Sequence, residues 1–131
     1  METFATAINC MDGRVQIPVI EHIKRNYGVD FVDMITLPGP NGILAGSGEE
    51  GAVESIRRCV QISVDRHGSR LIAVCGHHDC AGNPNSRETQ LEQIRDAMEL
   101  VGSWHEGVRV IGLWINQDWE VEEAMGSSLD I

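Results

Sequence analysis

Leu71-Ile72-Ala73-Val74-Cys75 is an unbroken apolar run, and Gly76-His77 follows it directly. A strand with one wet face alternates apolar and polar residues, so a continuous run predicts a strand covered on both faces. Phe4 to Asn9, Phe31 to Leu37 and Val108 to Ile115 read the same way. Between these runs the apolar spacing becomes helical. Ile17, Val19, Ile20 and Ile23 predict a helix from Ile17 to Tyr27, with Gly28 as its stop. Ala52, Val53, Ile56, Cys59, Val60 and Val64 predict a second over 49–66, closed by Gly68. Leu91, Ile94, Met98 and Leu100 or Val101 predict a third over 87–101. Buried strands alternating with helices predict an α/β fold with a mostly parallel central sheet flanked by helices. Pro38-Gly39-Pro40-Asn41-Gly42 is expected to break regular structure. The acidic stretch after Trp119 is expected to be partly disordered.

Sites in such sheets form outside the carboxyl ends of the strands. Two chemically rich fragments fall there: Cys10-Met11-Asp12-Gly13-Arg14 after the first run, and Gly76-His77-His78-Asp79-Cys80 after the third. Together they offer two thiolates and an imidazole, the ligand set of a catalytic zinc with one position open. Adjacent parallel strands would bring their ends within roughly 5 Å. His77 and Cys80 are close enough in sequence for one tight turn to aim both at a common point. Buried apolar cysteines beside a hydrogen-bonded turn histidine would read identically, so the residues leave both options open. Asp12 and Arg14 read either as a paired carboxylate and guanidinium or as a helix cap with a surface arginine.

With 131 residues the chain is expected to be a single domain, residues 1–131. A net charge of −10 argues against nucleic acid and anionic membranes as partners. Met1 to Ala5 has neither a basic nor a long apolar leader region, so a cytoplasmic location is expected, with the four cysteines free or metal-bound. Gly46-Ser47-Gly48-Glu49-Glu50-Gly51 formally matches a dinucleotide fingerprint but lies too far beyond its strand, and its glutamates would face the phosphates. It is expected to be a flexible loop leading into a helix. Cys59 and Cys75 are expected in the core. His22, His67 and His105 are expected on the surface without partners, and His78 either as a proton shuttle or as a solvent-facing turn residue. Trp104, Trp114 and Trp119 are expected to pack the last strand or a subunit interface.

Cys10-x-Asp12-x-Arg14 at the end of one strand, followed by Gly76-His77-x-x-Cys80 after a later one, resembles the β-class carbonic anhydrases over residues 3 to about 82. The resemblance implies that Cys10, His77 and Cys80 bind Zn²⁺, with Asp12 and Arg14 as the neighbouring catalytic dyad. Asp12 would be either an orienting acceptor or a fourth ligand that closes the site, and Arg14 would decide between them. The implied activity is zinc-dependent reversible hydration of carbon dioxide to bicarbonate, with zinc hydroxide as nucleophile and backbone donors near Gly39 or Gly76 holding the substrate. Two thiolate ligands predict a less acidic bound water than three histidines give, and so activity at mildly alkaline pH. The resemblance also implies a homodimer or larger homo-oligomer. Thr36-Leu37-Pro38-Gly39-Pro40 departs from the polar stretch common in that family, which alters the pocket wall. Hydrolysis of carbonyl sulfide or carbon disulfide on the same zinc site, and a closed, non-catalytic zinc site, are the competing expectations.

Overall fold

The computed structural model describes residues 2–126. Five strands form one sheet in the order β2-β1-β3-β4-β5. They are β1 (Phe4–Cys10), β2 (Phe31–Leu37), β3 (Leu71–His77), β4 (Arg109–Ile115) and β5 (Val121–Gly126). The first four run parallel, and β5 joins the edge antiparallel to β4. The helices are α1 (Gln16–Tyr27), a short α2 (Pro40–Gly42), α3 (Glu50–His67) and α4 (Arg87–Gly102).

Both faces of the sheet are covered at the inner strands β1, β3 and β4, whereas β2, expected to be buried as well, lies at an edge and is mostly half-buried. Val15, Val19 and Ile23, at and just before α1, pack on Ala5, Ala7, Ala73, Cys75 and Leu113. Ile56, Val60 and Val64 of α3 and Ile94, Ala97 and Met98 of α4 pack on Ile8, Ile35, Ile72 and Val74. Burial of a large aliphatic side chain contributes about 1.5–3 kcal/mol, so these two layers dominate stability.

The helix stripes differ from their sequence periodicity at two places. Ile17 is 66% exposed, because α1 turns Val19 and Ile23 to the sheet instead. Cys59 is also exposed. In α3 the stripe passes through Ser63, which is buried because its hydroxyl bonds Thr6 and Asp33, and Cys59 falls outside it.

The Pro38–Gly42 break is shorter than expected. Gly39 takes the left-handed conformation (φ 54°), and Pro40 then starts α2, where its fixed φ suits a first helical turn. The chain continues as a wide π turn over Ile43–Ser47. A Cβ at Gly39 would lie 2.5 Å from the Asn83 side chain, so the turn needs glycine on both counts.

Within the acidic stretch after Trp119, where partial disorder is expected, Val121–Gly126 form β5. Its carboxylates have partners: Glu123 accepts from Tyr27 (2.7 Å) and from His22 Nε2 (3.1 Å), and Glu122 from Asn116 (2.9 Å). Residues 127–131 lie outside the described part. Among the described residues, no helix is long and apolar enough to cross a membrane.

Candidate metal centre

The register places the two chemical fragments side by side. Ile8 of β1 pairs with Val74 of β3, so Cys10 reaches the sheet edge beside Gly76 and His77. Past β3 the chain reverses through a turn in which Asp79 is left-handed (φ 58°), and this swings Cys80 back over the strand end. Cys10 Sγ and Cys80 Sγ then lie 3.8 Å apart. A disulfide would need about 2.05 Å. Two sulfurs at about 2.3 Å from one tetrahedral zinc stand about 3.8 Å apart, the separation found here.

His77 completes the group. Its Nδ1 lies 2.7 Å from the His78 carbonyl, which can only accept, so Nδ1 carries the proton. Nε2 is fully buried and meets no hydrogen-bond partner, so it is the ring atom left to ligate a metal. Such an orphan is costly in a protein interior unless something electropositive sits opposite it. The ligand atoms of Cys10, His77 and Cys80 all lie within 4.8 Å of one another, so the three could hold one metal ion. The donor set is soft and buried, and it suits zinc.

The protein also prepares the sulfurs for negative charge. The backbone amides of Gly39 and Asp12 favour the Cys10 thiolate, and those of Gly82 and Asn83 favour the Cys80 thiolate. The hydrogen bond from Cys80, with lesser help from His77 and these amides, lowers the Cys10 pKa to about 3. Sharing that proton with Cys10, together with burial, raises Cys80. Burial alone would lower the His77 pKa, but its contacts with Cys10 and the His78 carbonyl outweigh this and raise it. A sulfur biased toward its thiolate form is a ready metal ligand.

Asp12 and Arg14 are paired, and Asp12 is also a cap. The Asp12 carboxylate accepts from the Arg14 backbone N–H (2.9 Å), Nε (3.0 Å) and Nη2 (2.7 Å). This fork, led by the Arg14 side chain, lowers the Asp12 pKa to about 2. Gln16 bonds the Cys10 and Asp12 carbonyls at 2.7 and 2.9 Å, tying the loop to α1.

Sequence reasoning passed over Gln90 and Asn41. Gln90 is 1% exposed, and its amide clamps the His77 peptide: Nε2 donates to the His77 carbonyl (2.9 Å) and Oε1 accepts the His77 N–H (3.3 Å). Asn41 donates to the same Oε1 at 3.3 Å. A Cβ at Gly76 would press on both side chains at 2.9–3.0 Å, so the glycine lets this clamp approach the strand. A polar residue on the inner face of a predicted helix was the available signal.

Trp114 is buried in β4 and Trp104 packs against the α4 layer, as expected. Trp119 packs as well, against the cluster that includes Leu113 and Ile115 of β4, and it also reaches the site, 6.5 Å from the His77 ring and 6.4 Å from the exposed His78 ring. His22 and His67 have carboxylate partners, contrary to expectation: His22 bonds Glu123, and His67 bonds Asp33 at 2.7 Å.

These features define a three-ligand α/β centre at the carboxyl end of a parallel sheet, and known proteins share its frame. A family model described as "Putative carbonic anhydrase" matches residues 1–125, and the chain belongs to that family. Its fold is that of the β-carbonic anhydrases. The β-carbonic anhydrase isoform I of Trichomonas vaginalis superposes with a TM-score of 0.66 at 14% identity, over 93% of this chain and 82% of that one. A carbon disulfide hydrolase superposes at 0.60 and 15% identity, over 93% and 78%. A tetrameric β-carbonic anhydrase of Sordaria macrospora superposes at 0.55 and 14%, over 97% and 83%. No curated protein sequence matches the chain.

Proposed function

We propose that the chain is a single-domain zinc lyase that hydrates carbon dioxide reversibly to bicarbonate, with Cys10, His77 and Cys80 as the metal ligands. The observation that carries this reading is the buried Nε2 of His77, without a hydrogen-bond partner, beside two sulfurs at tetrahedral spacing. Zinc held there supplies Lewis acidity that activates water near neutral pH. The residues around it do the rest. Gln90 fixes the His77 backbone, and the His78 carbonyl fixes the tautomer of the His77 ring. Arg14 holds Asp12 as an ion-paired carboxylate, and Asp12 so held would accept a hydrogen bond that orients water at the centre. The four free cysteines suit a reducing cytoplasm, and the tetrameric relative makes a homo-oligomer the reading for assembly.

Zinc content and stopped-flow hydration across pH test the proposal. One zinc per chain is expected, with hydration that increases toward alkaline pH and disappears in Cys10→Ser. Zinc-free wild-type protein would overturn it. A zinc-loaded protein that hydrolyses carbonyl sulfide or carbon disulfide but leaves carbon dioxide untouched would move the reaction to those sulfur substrates. Zinc without either activity would make the site a closed, non-catalytic one.

A further inference from the structure

Among the described residues, only two besides glycine have positive φ: Asp79 (58°) and Trp119 (61°). They lie on different loops, yet both touch the Arg14 guanidinium. Asp79 accepts Nη1 on its carboxylate (3.3 Å) and Nη2 on its carbonyl (3.1 Å). Trp119 covers the face of the group, with Cζ 4.3 Å from the indole ring.

A bulky residue in the left-handed region is strained and persists only where the surroundings impose it. The imposition is visible in the β4–β5 turn. Asn116 accepts the N–H groups of Asp118 and Glu120 on its side chain and that of Trp119 on its carbonyl. Glycine would take the Trp119 conformation without strain. What tryptophan adds is a flat, electron-rich face over a cation, an interaction that strengthens as it is desolvated.

Arg14 needs such help. Its side chain is 44% exposed, and an arginine that free would trade Asp12 for water. With Asp12 and Asp79 on its edges and Trp119 on its face, the guanidinium is held on three sides.

We propose that Trp119 is a positioning residue: its indole, with Asp79, locks Arg14 in the pose that keeps Asp12 off the metal position. The proposal rests on the reading that the Asp12–Arg14 pair governs an open centre, and it deepens that reading by naming what stiffens the pair. Trp119 touches no reacting atom and acts through Arg14.

The test begins without metal, by NMR of the Arg14 side chain in the folded apoprotein. In the wild type, the ring current of Trp119 should shift the Arg14 side-chain protons upfield. Hydrogen exchange at Nε–H should be about tenfold faster in Trp119→Leu, which keeps apolar bulk but loses the aromatic face. Trp119→Phe should restore most of the protection. Unshifted Arg14 protons in the wild type overturn the proposal without any variant, and so does unchanged exchange in folded Trp119→Leu. In the cobalt-loaded protein, Trp119→Leu should change the visible bands in the same direction as Arg14→Ala, since both release Asp12. Wild-type bands in Trp119→Leu beside altered ones in Arg14→Ala would also overturn it. Failure to bind cobalt would count against the metal reading alone and leave the exchange result standing.

Discussion

At the amino end of the strands, Thr6, Ser63, Ser69, Asp33 and His67 form a closed hydrogen-bond circuit. At the carboxyl end, Cys10, His77 and Cys80 form an open one. β1 and the β3 segment serve both. In the first cluster every hydroxyl hydrogen has an acceptor: Ser63 donates to Asp33 (2.7 Å), Ser69 to the Leu71 carbonyl (3.0 Å), and Thr6 to Ser63 or Ser69. His67 adds a second bond to Asp33 and stacks on Phe4 at 4.3 Å. In the second cluster a buried nitrogen has no hydrogen-bond partner, two sulfurs face each other at 3.8 Å, and a turn residue is left-handed. Polar burial alone does not mark a site. Unspent bonding capacity does.

The contrast can be broken first at the ligands. Cys10→Ser should weaken zinc binding on the order of a thousandfold, read by competition with a chelator, and abolish hydration. The amino-end cluster should keep its structure. Gln90→Leu should cost ten- to a hundredfold in zinc affinity, the usual effect of losing a group that orients a ligand. Equal zinc affinity in a folded Gln90→Leu protein would remove the His77 clamp from the site. Ser63→Ala should lower the unfolding free energy by about 1 kcal/mol in urea, yet leave zinc affinity unchanged. If it altered zinc affinity, the two ends would be coupled and the comparison would fail.

The smallest effect concerns pH. The folded pKa of Asp12, about 2, lies below its usual value of about 3.8, so its contribution to stability is complete above about pH 4. That contribution is lost as pH falls toward 2. Asp12→Asn should therefore flatten the acid limb of the stability profile between about pH 4 and 2, with no change in slope at pH 6–8.

Much of this was legible because it depends on short-range pattern. Unbroken runs such as Leu71–Cys75 announced buried strands. The ligand trio stood out because soft donors followed two of those runs. The acidic stretch read as solvated because Tyr27, His22 and Asn116, which neutralise or bond its carboxylates, lie elsewhere in the chain. Cys59 read as core because helical periodicity could not anticipate that Thr6 and Asp33 would draw Ser63 inward. Trp119 read as packing because its conformation is imposed by the Asn116 turn, and its partner Arg14 lies on another loop.

The sequence by itself determined the layered α/β class, the order of its elements and the three donors, since apolar period and donor chemistry belong to individual residues. Tertiary structure alone decided that His77 is clamped by Gln90, that Asp79 joins the Arg14 guanidinium, and that Trp119 covers it. Those outcomes depend on distances of a few ångströms between segments far apart in the chain, and hydrogen bonds and cation–π contacts exist only at such distances.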